Sequence, residues 1–415
     1  MSTTEAATRG YAAAYCGLVA ATVLLPSAKL QDFNVKFALA GALLLCGAFA
    51  WRGMVSGADA AARLGRLHLA IVAYLGAVVA GWSGVGISNG FDPLPEVRSI
   101  LGPLFLVAAY HPRLVPKRWL LDVYCASAIA YSIVKLALLL GVYLGVVKEF
   151  DLVQIGRSVF DMELVGGPTC TAGLRRLALP NDLAVAMFPL LLLDHRYRRP
   201  WVYAAMALCG LAVLSSYSRY FMLAFIVIGL VIAWQLASIR PRTAVAAALF
   251  AMLAIAYAVD GGNCLLPRFM PAANAADSDA DAVTVYSDGR SLNLHTDSVR
   301  REQFARLKAL IAEKPLMGHG VGSYDPGYVR SKRMPYSYEL QLLSFVSKFG
   351  LIGFALLTLG AGVLCALLFG RNIAAWAVVA TLAASGVANP FYESSAFGVA
   401  FVLTVVAFSR WPNTD

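Results

Sequence analysis

Asp297-Ser-Val-Arg-Arg-Glu-Gln-Phe-Ala-Arg-Leu-Lys-Ala-Leu-Ile-Ala-Glu-Lys314, running on through Pro315-Leu-Met-Gly-His-Gly-Val-Gly-Ser-Tyr324, lies inside the one long polar segment of an otherwise apolar chain. That segment extends from about Asp260, through the acidic run Asp277-Ser-Asp-Ala-Asp281, to Pro335-Tyr-Ser-Tyr-Glu339. Val299, Phe304, Leu307, Leu310 and Ile311 recur at helical spacing, and Arg300, Arg301, Glu302, Arg306 and Lys308 fill other faces. The pattern predicts an amphipathic helix lying on a membrane surface or on other helices, as a lid. What the lid covers must be sought in the apolar remainder.

Hydrophobic residues make up 59% of the 415 and charged residues 14%, with a mean hydropathy of +0.68. Soluble domains carry about 25% charged residues, so the chain reads as an all-α, polytopic integral membrane protein. A spanning helix needs about 20 apolar residues, and runs of that order predict about twelve spans. They fall at roughly 11–26, 36–51, 67–83, 99–111, 119–143, 180–194, 201–217, 219–237, 243–258, 340–369, 373–389 and 395–409. The first run lacks a small-residue cleavage site and reads as a retained span. The expected organisation is nine spans over 1–258 with a shorter external loop at about 144–179, a large external loop over 259–339, and three spans over 340–415.

The net charge of +10 suggests nucleic acid at first sight, but the basic residues sit in alternate short loops. Arg52, Arg63 and Arg66 form one group, and Arg113, Lys117 and Arg118 the next. Arg196, Arg198 and Arg199, then Arg240 and Arg242, then Arg371 continue the series, whereas the opposite short loops carry only Lys29, Lys36, Arg98 and Arg219. This asymmetry places both termini in the cytoplasm and leaves no nucleic-acid partner to expect. The long connection follows the ninth span and is external, unlike that of a transporter built from two six-span halves.

The five His are scattered and give no metal-ligand cluster, and no cofactor motif is present. Cys16, Cys46, Cys125, Cys209 and Cys365 lie within apolar runs as core hydrophobes; Cys170 and Cys264 fall in the two external loops, where a disulfide between them is one option. Asp277, Asp279 and Asp281 open like a calcium loop, but Ala282 stands at the sixth position and Asp288 at the twelfth, which fits a linker better.

Arginines mark the external boundary: Arg175 and Arg176 before the sixth span, Arg219 between the seventh and eighth, and Arg300 and Arg301 on the lid helix. Each is either a headgroup contact or, if several converge, part of a cradle for a diphosphate, which the guanidinium fork binds bidentately. Lys135, in the middle of an apolar run, must face the interior, either in a structural pair or against a substrate. His319 in Gly318-His-Gly-Val-Gly322 is a ligand contact or a polar turn residue; the turn lacks the Lys-Ser/Thr of a phosphate loop. Glu339, directly after Tyr336-Ser-Tyr338 at the head of the tenth span, is placed to accept a proton from a hydroxyl or, equally plainly, to start a helix. Tyr338, with Tyr324, Tyr328, Tyr336 and Tyr392, offers faces for sugars, although tyrosine is also common at membrane interfaces.

Four of these features together resemble the bacterial O-antigen ligase and O-antigen/exopolysaccharide polymerase superfamily. They are Arg176-Leu-Ala-Leu-Pro-Asn181, the Ser218-Arg219 turn, the helix Arg300 to Lys314 with Pro315-Leu-Met-Gly-His-Gly-Val-Gly322, and Tyr338-Glu-Leu-Gln-Leu-Leu-Ser-Phe-Val-Ser-Lys-Phe-Gly-Leu-Ile-Gly353. Their order, over roughly residues 165–360, is more specific than any one of them. The resemblance implies a metal-independent glycosyltransferase of the many-spanning type in the bacterial inner membrane, without a cofactor. It implies transfer of a glycan from an undecaprenyl-diphosphate donor to an acceptor hydroxyl on the periplasmic side.

By the same resemblance Arg176, Arg219 and Arg300 or Arg301 look like the diphosphate-binding arginines, with Arg175, His319, Tyr338 and Lys135 as further substrate contacts. Ligases of the family usually carry His where Glu339 stands here, so Glu339 or His319 is the expected base and a polymerase is favoured over a ligase. The acceptor is then another lipid-linked repeat unit rather than lipid A–core, and a chain-length regulator or a flippase is a further expected partner. A transporter or flippase of the lipid-linked glycan is the competing class; it requires neither the lid helix nor a carboxylate at Glu339.

Overall fold

A lipid-embedded backbone must satisfy its own polar groups, and long apolar stretches do so as helices. The computed structural model describes residues 3–25, 29–30, 33–55, 59–148, 154, 177, 179–216, 218–236, 238–260, 289–329, 334–388, 391–409 and 411. Arg175, Arg176, Cys170, Cys264 and the Asp277–Asp281 run lie outside these residues. The described residues are helical apart from turns and one antiparallel pair of two-residue strands, β1 (Lys29–Leu30) and β2 (Phe33–Asn34).

The helices are α1 (Thr3–Leu24), α2 (Val35–Val55), α3 (Ala60–Ser88), α4 (Leu94–Ala109) and α5 (Lys117–Tyr143), then the single turn α6 (Asp182–Val185). They continue as α7 (Pro200–Leu214), α8 (Arg219–Gln235), α9 (Ile239–Asp260), α10 (Gly289–Glu313) and α11 (Gln341–Phe369), and end with α12 (Ile373–Ala383), α13 (Ser385–Ala388) and α14 (Ser395–Phe408). Three of them, within Ala62–Ser88, Lys117–Tyr143 and Gln341–Phe369, are long and apolar enough to cross a membrane by length and composition. Several others are apolar and shorter. The chain is thus a helical membrane protein.

One expected span is not a single helix. Residues 180–194 form α6 and then a 3-10 helix over Phe188–Leu193. Pro189 explains the break: it has no N–H to return to Val185, and its ring crowds that carbonyl. The lid helix α10 is present, but its buried row differs from the expected one. Phe304 is 51% exposed, whereas Leu307 and Gln303 are fully buried.

The chain divides into two compact units, one of Met1–Gly17, Leu39–Leu120 and Arg300–Asp415, the other of Leu18–Ala38 and Leu121–Val299. In the first, the expected long tenth span is broken at Gly350, whose φ of 61° and ψ of −177° are not helical. The residues just after Lys314 fill the break. Leu351 N–H donates to the Pro315 carbonyl (2.8 Å) and Ile352 N–H to that of Leu316 (3.1 Å), while the Ser347 and Lys348 carbonyls accept from His319 N–H (3.0 Å) and Gly320 N–H (2.8 Å). Backbone groups stranded by the kink are therefore paired with protein rather than left open in an apolar setting. Val321, fully buried, packs with Val79, Ile100 and Phe349, and Trp82 Nε1 donates to the Met317 carbonyl at 2.7 Å.

Candidate functional site

Val299, Gln303, Leu307 and Ile311 form the inward row of α10, each four residues from the last, with Gln303 and Leu307 fully buried and the other two half-buried, so Gln303 rather than Phe304 turns inward. A buried amide needs partners, and Gln303 finds them at the head of α11. Its Oε1 accepts from Glu339 N–H at 2.9 Å and Leu340 N–H at 3.4 Å, and its Nε2 lies 3.5 Å from the Tyr328 hydroxyl. One turn back along α10, Arg300 Nε donates to Glu339 Oε2 at 3.1 Å. The two side chains keep 22% and 19% of their surface exposed, so the pair is held but reachable.

The backbone around Glu339 is fixed on its other side. The Tyr338 hydroxyl, buried, accepts from Asp325 N–H at 2.8 Å, and its ring stacks on Tyr328 with centroids 6.4 Å apart and planes 11° from parallel. Burial holds the Tyr338 phenol above its ordinary range, against the lowering effect of the Asp325 amide, so it stays neutral. Arg306 Nη1 lies 3.6 Å from Asp325 Oδ2. Arg301 is exposed. His319 is 9% exposed, with Nε2 2.9 Å from the Leu310 carbonyl and 3.7 Å from Glu313; its ring ties the turn to the end of α10.

In the second unit, Arg219 is the first residue of α8 and is partly buried, after a turn in which Ser218 N–H donates to Ser216 Oγ at 3.1 Å. Lys135, 2% exposed, donates to Asp182 Oδ1 at 2.7 Å, so of its two sequence readings the structure presents the ion pair. Asp182 also accepts from the Tyr131 hydroxyl (2.9 Å) and Leu179 N–H (3.1 Å), and Asn181 Nδ2 donates to the Val23 carbonyl at 2.9 Å. These bonds anchor the Leu179–Asp182 turn, three residues after Arg176. No group of three or more His, Cys, Asp or Glu able to hold a metal occurs among the described residues.

Sequence reasoning passed over Gln303, Asp182, Glu96, Lys348 and Glu393. Signals existed for two of them. Gln303 interrupts an i, i+4 row of apolar residues, and Lys348 stands within an apolar run as Lys135 does.

These arrangements define a helical membrane protein that presents a guanidinium–carboxylate pair where a polar, amphipathic helix meets the head of a long apolar one. Residues 204–358 match a family model described as O-Antigen ligase. The match supports the O-antigen ligase/polymerase superfamily, and an enzyme, for this chain; it takes in Arg219, Arg300, Gln303, Glu339 and Lys348. No curated protein matches the chain.

Proposed function

We propose that the protein is a membrane glycosyltransferase that moves a glycan from an undecaprenyl-diphosphate donor to a hydroxyl of an acceptor glycan, as an O-antigen or exopolysaccharide polymerase. The reading places it in the bacterial inner membrane, with both termini cytoplasmic and the reaction on the periplasmic side. The observation that carries it is the Arg300–Glu339 contact, a phosphate-binding group and a proton acceptor side by side and open to solvent.

In this reading the acceptor oxygen attacks the anomeric carbon, the bond from that carbon to the diphosphate breaks, and the diphosphate leaves with the electron pair. Arg300, with Arg219 and Arg176, takes up the charge that develops there, and no metal is required. Arg175, Arg301, His319 and Tyr338 are the further contacts proposed for the sugar and diphosphate. Lys135, paired with Asp182, holds the turn that precedes α6. Glu339 takes the hydroxyl proton. A diphosphate competing for Arg300 loosens the ion pair and releases Glu339 for that task, so donor binding prepares the base.

A ligase using lipid A–core as acceptor is the second reading, favoured by the description of the matching family. The test is the purified protein in bilayers with a defined polyprenyl-diphosphate oligosaccharide, with and without lipid A–core. Longer lipid-linked glycans with free lipid diphosphate indicate the polymerase, and glycan joined to lipid A–core indicates the ligase. Unchanged donor in both arms would sink the enzymatic reading in favour of a carrier.

A further inference from the structure

The sequence leaves five tyrosines as faces for a sugar, and the first unit singles out one of them. Tyr336 and Tyr338 are 4% and 2% exposed. Tyr392 is packed against Phe345 and Phe397, and Tyr324 meets Phe91 edge-on at 5.7 Å. Tyr328 is half-buried. Its ring is offset from that of Tyr338 and nearly parallel to it, and Tyr338 is sealed behind it. The surface that Tyr328 keeps therefore lies on the side away from Tyr338.

The same short turn carries a carboxylate. Tyr328 N–H donates to the Asp325 carbonyl at 2.9 Å and closes Asp325-Pro-Gly-Tyr328, with Pro326 at the position such turns favour. Asp325 Oδ1 accepts from Gly327 N–H at 2.8 Å, and Oδ2 lies 3.6 Å from Nη1 of the exposed Arg306. Nothing in the Gly327 backbone calls for glycine, since its φ is not positive. What glycine does there is leave the ion pair uncovered: a Cβ would stand 3.2 Å from Asp325 Oδ1 and 3.4 Å from Arg306 Nη1. Gln303 joins this turn to the proposed base. Its Nε2 lies 3.5 Å from the Tyr328 hydroxyl while its Oε1 accepts from Glu339 N–H. Arg300, Gln303 and Arg306, three residues apart along one side of α10, thus reach Glu339, both segments, and Asp325 in turn.

We propose that Tyr328, Asp325 and Arg306 form the seat of the acceptor glycan, holding the pyranose whose hydroxyl Glu339 deprotonates. The proposal rests on the reading of Glu339 as the base and names the substrate group that the neighbouring surface takes. A pyranose presents C–H groups on its faces and hydroxyls on its rim, and each hydroxyl both donates and accepts. The Tyr328 ring matches the apolar face, the guanidinium supplies donors and the carboxylate acceptors. An inorganic anion would use the guanidinium and leave the ring idle. The ion pair is neutral as a whole, which suits an uncharged sugar.

Three variants of the full chain in bilayers test the seat. Tyr328→Ala removes the face, Tyr328→Phe keeps it, and Gly327→Leu covers the ion pair from an exposed position without deleting a contact. Acceptor KM at saturating donor is expected to rise about tenfold in Tyr328→Ala and in Gly327→Leu, the loss of one anchor at a recognition site. Tyr328→Phe should recover most of the affinity, and donor KM should stay in place in all three. An unchanged acceptor KM in Tyr328→Ala and Gly327→Leu, or a rise in donor KM instead, would overturn the proposal. A second measurement needs no turnover: titration calorimetry of two lipid-free glycans, the repeat-unit oligosaccharide and the core oligosaccharide, onto the same proteins. If the wild type binds one of them, Tyr328→Ala binds it more weakly and neither turns over donor, the seat stands and the enzymatic reading falls. Equal binding in the two proteins, or none in either, would overturn the seat whatever the turnover.

Discussion

Arg300 Nε lies 3.1 Å from Glu339 Oε2, across 39 residues of sequence, because Gln303 pins the Glu339 backbone to the same helix that carries Arg300. A guanidinium one turn from a buried amide that caps the next helix is a rigid way to present a carboxylate. Neither group is sealed off, so a diphosphate is able to exchange for the carboxylate at Arg300. If Glu339 is the base, Glu339→Gln lowers kcat by about 10²–10⁴ and leaves donor KM nearly unchanged. Arg300→Lys, which keeps the charge but loses the fork, acts through charge development on the leaving group and lowers kcat by about 10²–10³. Release of polyprenyl diphosphate against time measures both.

Gln303→Leu fits the buried row sterically but removes the acceptor for Glu339 N–H and Leu340 N–H. Leaving buried donors unpaired costs about 1–3 kcal/mol. The change should lower thermal stability and also kcat, since the head of α11 is no longer fixed against α10. A melting curve and a turnover assay on the same preparation check it; loss of stability with full turnover would mean that Gln303 only packs.

The Lys135–Asp182 pair is sealed from solvent at 2.7 Å, so its halves are strongly dependent on each other. Removing one partner of a buried pair costs about 3–5 kcal/mol, because the other charge is stranded, whereas replacing both with apolar residues is often neutral. Asp182→Leu and Lys135→Met should each destabilise the protein severely, and the double variant should recover most of the loss. Unfolding monitored by intrinsic fluorescence in detergent gives the cycle. Additive effects would show that the two charges act independently.

Much of this was legible in the sequence, and the parts that were not have physical reasons. Composition and the recurring apolar runs read correctly as a helical membrane protein, and the amphipathic pattern located α10. The charge of Lys135 within an apolar run required an internal partner, but nothing in a linear sequence names Asp182, 47 residues away. The helix face was misread by one position at Phe304, since an apolar residue was weighted above an amide that happened to stand on the i, i+4 row. The break at 188–193 was signalled by Pro189, and the break at Gly350 was not signalled, because its cause lies in a distant loop entering the helix. Glu96 escaped notice for the same reason: it is an ordinary polar residue near a helix end until Lys348 is placed beside it.

Glu393 also sets an expectation for stability against pH. Its carboxyl titrates near 7 in the folded chain against an ordinary value of 4.5. The folded state therefore binds more proton than the unfolded state between these values, and stability falls as pH rises through them. Glu393→Gln should remove this slope and leave the protein more stable than the wild type at neutral pH. Chemical unfolding at several pH values between about 4.5 and 8 reads it; parallel slopes in the two proteins would contradict it.

The glycine turn after α10 sits where backbone meets backbone, and its side chains are glycine for that reason. Gly320, at φ 88°, presses against the α3 backbone so closely that a Cβ there would overlap the Gly86 nitrogen. Gly320→Ala meets two penalties at once, a left-handed backbone with a side chain and an overlap that neither helix is free to relieve. The cheapest escape is for residues 315–322 to leave the break in α11, which strands the Ser347 and Lys348 carbonyls and the Leu351 and Ile352 amides. Gly41 in α2 has nothing within 4 Å of its added Cβ, and there alanine should be neutral or stabilising by up to about 1 kcal/mol. Limited proteolysis is therefore expected to cut Gly320→Ala within 315–322 and to leave Gly41→Ala as resistant as the wild type. An uncut Gly320→Ala with unchanged melting would mean that the turn and the helix break are not mechanically joined.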